Sequence, residues 1–166
     1  MSDEAKNNVN FTSPIELGKL EYVSPKLWEP KLSNRFVVYI VDYKTKKLVI
    51  DKFLIRRITR PSFSLISDKK RHWHSLSIEV YDPIVPTNVL FKLLQVDRLN
   101  IQVNELGPVG DVVCTWTIPN CRFKHVEETS LDWKNSDISI IKADIDWTVI
   151  HVRDGADGCI TLTNEQ

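Results

Sequence analysis

The chain has 166 residues, 42% of them hydrophobic and 27% charged, an ordinary composition for one globular domain able to bury its own core. Its 22 Lys and Arg balance 22 Asp and Glu. Zero net charge argues against a dedicated nucleic-acid binder and removes a common protection against self-association. The three cysteines are too few, and odd in number, for a disulfide framework, and read as buried free thiols of a reducing compartment.

Residues 1–33 read as an extended arm. Pro14, Pro25 and Pro30 punctuate it, and its apolar residues keep no sustained period. The first eight residues lack the apolar core of a signal peptide. Such an arm is either disordered or docked on a neighbour, and Leu27 and Trp28 favour docking because large exposed apolar side chains are costly.

The body, residues 34–153, opens with Phe36 to Tyr43, rich in β-branched and aromatic residues and therefore a strand. The polar turn Lys44 to Lys47 leads to a return through Leu48 to Ile58. Phe63 and Leu65 then alternate with serines in an extended stretch, and Ser67 to Arg71 form a charged tip. From Trp73 to Tyr81 the alternation is strict, with Leu76, Ile78 and Val80 on one face. Thr87 and Asn88 then start a short helix, with Leu90, Phe91 and Leu94 on its apolar face.

Alternation resumes at Leu99 to Val103. After the turn Gly107 to Asp111, Val112 to Ile118 form a strand that Pro119-Asn120 interrupts before it resumes to Val126. Glu127 to Asn135 read as a polar loop. A single long strand is expected from Ile138 to Val152, with Ile141, Ala143, Ile145, Trp147 and Val149 facing the core and Lys142, Asp144 and Asp146 opposite. Its fifteen residues would reach roughly 50 Å, so it must bend round a barrel or serve two packed sheets in turn. Residues 154–166 read as a C-terminal tail.

Little here points to chemistry. Five scattered glycines form no phosphate loop, and no Ser/His/Asp cluster is readable. His72 and His74 share a strand face, but Lys69, Lys70 and Arg71 beside them would repel a metal ion. Asp144 and Asp146 form a carboxylate pair only in the sense that they share a polar face with Lys142. No cofactor, metal or catalytic residue is expected, and no stretch approaches the about 20 apolar residues of a membrane span.

Several stretches, in order, resemble the phage tail tube protein family, including the inner tubes of contractile injection systems. They are Asn34-Arg35-Phe36, Arg60-Pro61-Ser62-Phe63, the strand closing at Tyr81-Asp82-Pro83, the Trp116 to Phe123 strand, Leu131-Asp132-Trp133, and the long final strand. The resemblance covers residues 34–152; the arm and the tail depart from it. It implies a mainly β protein, two packed antiparallel sheets in a barrel-like sandwich with one short helix at the flank. It also implies a structural, non-enzymatic protomer of stacked, hexameric rings in a virion tail, assembled in the host cytoplasm. Its partners would be other copies of itself, a sheath protein, baseplate or tube-initiator proteins and a tape measure protein. Double-stranded DNA would pass through the channel without specific binding. A tube initiator or baseplate cap of the same fold is the nearest alternative, and a small-ligand β-barrel an alternative of another class. Inter-subunit contacts are expected at Leu27, Trp28, Phe63, Ser67, Lys69, Lys70 and Arg71, and a channel lining at Lys142, Asp144 and Asp146.

Overall fold

The computed structural model describes residues 32–67, 70–84, 89–134, 136–154 and 158–164. The chain divides into two compact units, Met1–Asn34 and Arg35–Gln166, and the second carries the fold described here.

Its strands, in chain order, are β1 (Phe36–Asp42), β2 (Leu48–Ile50), β3 (Ile55–Ile58), β4 (Phe63–Ser67), β5 (Lys70–Trp73) and β6 (Leu76–Tyr81). The helix α1 (Val89–Leu94) follows, then β7 (Leu99–Leu106), β8 (Val112–Glu128), β9 (Ile140–Asp146), β10 (Val149–Asp154) and β11 (Gly158–Thr163). Every pairing is antiparallel. One sheet runs β2-β1-β7-β8-β10-β11, and the other runs β8-β9-β6-β3. The two share β8, and their inner faces meet in one core that includes Val38, Ile101 and Ile118 from the first and Ile78, Ile141 and Ile145 from the second. The mainly β fold of two antiparallel sheets with a short helix is therefore as expected.

Strand β8 is 17 residues long, where five or six are usual, because it serves both sheets in succession. Val112 to Cys121 pair with β7, and Arg122 to Glu128 pair with β9. The expected interruption at Pro119-Asn120 is the corner between the two. Asn120 takes a left-handed backbone, φ 51°, which asparagine tolerates better than most residues. Its N–H, having left the ladder, donates to Asn100 Oδ1 at 3.0 Å. Cys121 is packed inside this corner, and burial pushes its thiol up to about 12.

The expected single strand over Ile138 to Val152 is two strands, and the break changes its inward face. Ile141, Ala143, Ile145 and Trp147 are buried as the alternation requires. Thr148 then absorbs one step, so Ile150 is buried and Val149 only half-buried. The chain crosses between sheets here: β9 pairs with β6, and β10 pairs with the first half of β8. Sequence alternation alone carried the pattern one residue too far.

Three further expectations change. The strand over Trp73 to Tyr81 breaks at His74-Ser75, so that Trp73 closes β5 and Leu76 opens β6. In α1 the buried residues are Val89 and Leu93, while Phe91 and Leu94 are exposed, because the helix meets the sheet with the stripe next to the one expected. Residues 154–166 are more than a tail. Gly158–Thr163 form β11, paired along its length with β10, and Leu162 packs against the core.

Candidate assembly interface

The four-stranded sheet β8-β9-β6-β3 has two features suited to assembly. Its edges are open: among the described residues, β3 pairs only with β6, and the second half of β8 only with β9. Its outer face is charged and locally balanced. Arg57, Glu79, Lys142 and Glu127 lie side by side across the four strands. The next row brings Ser77, Asp144 and His125 together, and the one after it Asp146 and Arg122. Within this lattice Glu79 accepts from Arg57 at 3.4 Å and meets Arg56 at 3.6 Å, while Asp146 meets Arg122 at 3.2 Å. Lys142, Asp144 and Asp146 thus share one outward polar face, Lys142 the most exposed of the three.

Strands β4 and β5 form a separate two-stranded ribbon that pairs with neither sheet. What attaches it to the body is an aromatic chain. Trp147, buried at the end of β9, donates its indole N–H to the His74 carbonyl at 3.1 Å. Trp73 meets the Trp147 ring edge-on with centroids 5.4 Å apart, and Phe63 meets Trp73 at 5.1 Å. The Arg71 guanidinium lies 5.1 Å from the Phe63 centroid. Register places Phe63, Leu65, Arg71 and Trp73 on one ribbon face. On the other, Ser64 Oγ lies 2.8 Å from His74 Nε2, and the His72 and His74 rings meet edge-on. Among the described residues no group of three or more His, Cys, Asp or Glu is placed to hold a metal ion. Leu65 and Ile66 are exposed, an unusual density of bare apolar surface for a ribbon.

The ribbon's base is locked to both sheets. Arg60, just beyond β3, reaches Glu105 of β7 at 3.1 Å, and Glu105 is only 7% exposed. The Arg60 guanidinium also lies 5.9 Å from the Trp116 ring.

At the other end of the four-stranded sheet, the loop joining β8 to β9 is closed at its base by Thr129. Its N–H donates to the Ile140 carbonyl at 3.1 Å, and its hydroxyl oxygen accepts from the Ile140 N–H, also at 3.1 Å. Beyond this clasp Leu131 and Trp133 stand in solvent, the indole fully exposed at 106%. Beside the loop the Glu128 carboxyl lies close to that of Asp82, which accepts from the Ser139 hydroxyl at 3.3 Å. Hydrogen bonding to Asp82, slight burial and the Asp82 charge raise the Glu128 carboxyl above its ordinary value.

Of the residues expected at subunit contacts, Phe63, Ser67, Lys70 and Arg71 lie on this ribbon, although for Lys70 only the backbone is described. Leu27, Trp28 and Lys69 lie outside the described residues. The sequence reading missed the exposed Leu131 and Trp133 as a surface of their own, because a polar loop was read through them.

No family model matches the chain, and no curated protein matches it. Solved structures do. The cap that terminates the tube of the anti-feeding prophage superposes with a TM-score of 0.57 at 14% identity, over 76% of this chain and 93% of that one. The Hcp protein gives 0.57 at 12%, over 77% and 98%. A chain of the sheath–tube complex of the PVC extracellular contractile injection system gives 0.55 at 14%, over 80% and 97%. The chain has the fold of contractile injection system tube and cap proteins. The tube-like fold accounts for those neighbours almost whole but leaves about a quarter of this chain outside the match.

Proposed function

We propose that the protein is a structural, non-enzymatic protomer of a tail or injection tube, and that its four-stranded sheet lines the channel. The observation that carries the reading is the sheet itself, open at both edges and bearing a charge-balanced outer face. Four antiparallel strands are an even number, so β3 and β8 run in opposite directions at the two edges. Rotation of one copy beside the next then sets β3 against the second half of β8 in antiparallel order, and the contact repeats until a ring closes. Edge strands left bare invite such pairing. The basic pair Arg56 and Arg57 on one edge suits Glu127 and Glu128 on the other.

Closure as a hexamer, stacking of rings, and contacts with a sheath protein, baseplate proteins and a tape measure protein follow from this reading. The ribbon residues Phe63, Ser67, Lys70 and Arg71 are assigned to contacts between rings. Leu27 and Trp28 of the arm, and Lys69, are assigned to contacts between subunits. Lys142, Asp144 and Asp146 would face the channel. Their charges are offset by Arg57, Arg122 and Glu79, and a lattice that neutralises itself gives a passing polyanion little to grip, which suits transit of double-stranded DNA without binding.

A second reading, a tube initiator or cap, is favoured by the extra length of this chain over the matched fold and by a tube-terminating cap among the neighbours. Electron microscopy of the purified protein separates the two. The main tube protomer gives rings that lengthen into tubes, and a cap gives rings that stop at one or two layers. A compact monomer at high concentration, with no rings even beside tail components, would refute both. Deleting residues 1–30 should impair assembly and leave a β circular dichroism spectrum; full tubes from the shortened chain would remove the arm from the interface.

A further inference from the structure

Two exposed apolar features lie at opposite ends of the channel sheet. Strand β5 leads into β6 beside the end of β9, where Leu76 pairs with Ile145. Strand β6 finishes at Tyr81 beside Ile140, where the β8–β9 loop begins. Six residues of β6 separate them, roughly 20 Å at a strand's rise per residue. One end therefore presents a cationic apolar ribbon, and the other an apolar loop flanked by carboxylates.

We propose that the loop carrying Leu131 and Trp133, with Asp82 and Glu128 beside it, is the seat for the β4–β5 ribbon of a second copy in the adjoining ring. This rests on the tube reading above and names the receiving surface that stacking requires. The complementarity is specific. Phe63 and Leu65 offer apolar surface on the ribbon, and Leu131 and Trp133, both fully exposed, offer it on the loop. Arg71 projects from the same ribbon face as Phe63. Asp82 and Glu128 bring two carboxyls together beside the loop, and Ser139 Oγ donates to Asp82 Oδ2 at 3.3 Å, so an arriving guanidinium meets acceptors already in place. The Thr129–Ile140 clasp fixes the base of the loop before any partner arrives, so little ordering is needed on contact. Because the two surfaces differ, the contact is head-to-tail and leaves each stack open at both ends.

The test uses the full chain with Cys159, the exposed cysteine, replaced by serine. In that background one variant carries Leu65→Cys and another Trp133→Cys, and the two are mixed under oxidising conditions once rings are visible. The expected result is a cross-linked pair of chains in the mixture and in neither variant alone. Arg71→Glu should abolish the cross-link and leave rings intact, and adding Asp82→Arg should restore it. A cross-link in Leu65→Cys or Trp133→Cys alone, or stacks that form without any cross-link and regardless of the charge reversals, would overturn the seat and leave the tube reading standing. A parent protein that forms no rings would overturn the tube reading, and the seat with it.

Discussion

Replacing Trp147 by alanine tests how the ribbon is held. The side chain is 2% exposed and fills the junction of β9 and β10. Truncating such a residue leaves a cavity that costs about 3–5 kcal/mol. The parent fold should hold about 5–15 kcal/mol in total, so the variant should remain folded but lose roughly 6–20 °C of melting temperature. Trp147→Phe keeps most of the volume and loses the donor to the His74 carbonyl, so it should cost less, about 1–2 kcal/mol. Urea unfolding followed by circular dichroism gives both values without relying on the fluorescence of the indole removed. A double-mutant cycle with Trp73→Ala isolates the ring contact and should show coupling of about 0.5–1.5 kcal/mol. On the proposed tube reading, Trp73→Ala should also impair ring stacking more than stability, since it cuts the link between the body and Phe63. A cycle with no coupling, or a Trp147→Ala protein as stable as the parent, would refute the view that this aromatic chain carries the ribbon.

Other substitutions probe the remaining joints. Ile150→Ala should cost about 2–5 kcal/mol and Val149→Ala about 1 kcal/mol or less, measured by urea unfolding; the reverse order would restore the uninterrupted alternation through Trp147. Arg60→Ala should cost only about 1 kcal/mol, since the guanidinium is well exposed even though Glu105 is not, and a loss several times larger would mean the pair behaves as a buried one. Alkylation of the native protein near neutral pH should modify Cys159 alone by mass spectrometry, because Cys114 and Cys121 are buried and the Cys121 thiol is pushed up to about 12. Rapid labelling of Cys121 without denaturant would show that the β8 corner opens.

What was legible in the sequence is what local periodicity encodes. Strict alternation placed Leu76, Ile78 and Val80, and also Ile141 to Trp147, on the core side correctly. It failed where the backbone departs from period two while the residue types do not announce it. Thr148 looks like any polar position of a strand, yet the phase changes there because the chain stays beside β8 but exchanges β6 for β11 as its other neighbour. Pro119 and Asn120 did announce a change, but a proline–asparagine pair signals a strand's end and a strand's corner alike. In α1 the stripes through Leu90 and Leu93 are both apolar, and only packing against the sheet selects between them. For the assembly surfaces, the charged ribbon was readable as a polar excursion between strands. The apolar character of Leu131 and Trp133 was visible too, but their full exposure is a matter of tertiary placement that local pattern does not encode.

The neighbours share this fold at 12–14% identity, so particular side chains do not carry it. The corners offer a better account. Asp146, the last residue of β9, pairs with Arg122, while His151 of β10 pairs with Thr117. The β8 corner at Pro119-Asn120 and the Trp147-Thr148 break therefore lie side by side, and two adjacent strands change sheets at the same level. A register slip of one residue in either strand would turn its apolar face outward in both sheets at once, which makes the alignment of the two corners costly to disturb. Once they are aligned, the second half of β8 must leave β7 behind and stand at an edge, because β7 ends its pairing at Leu99 and Cys121. The open edge is thus a consequence of how the two sheets share one strand, and it imposes no requirement on the residues at the edge beyond alternation.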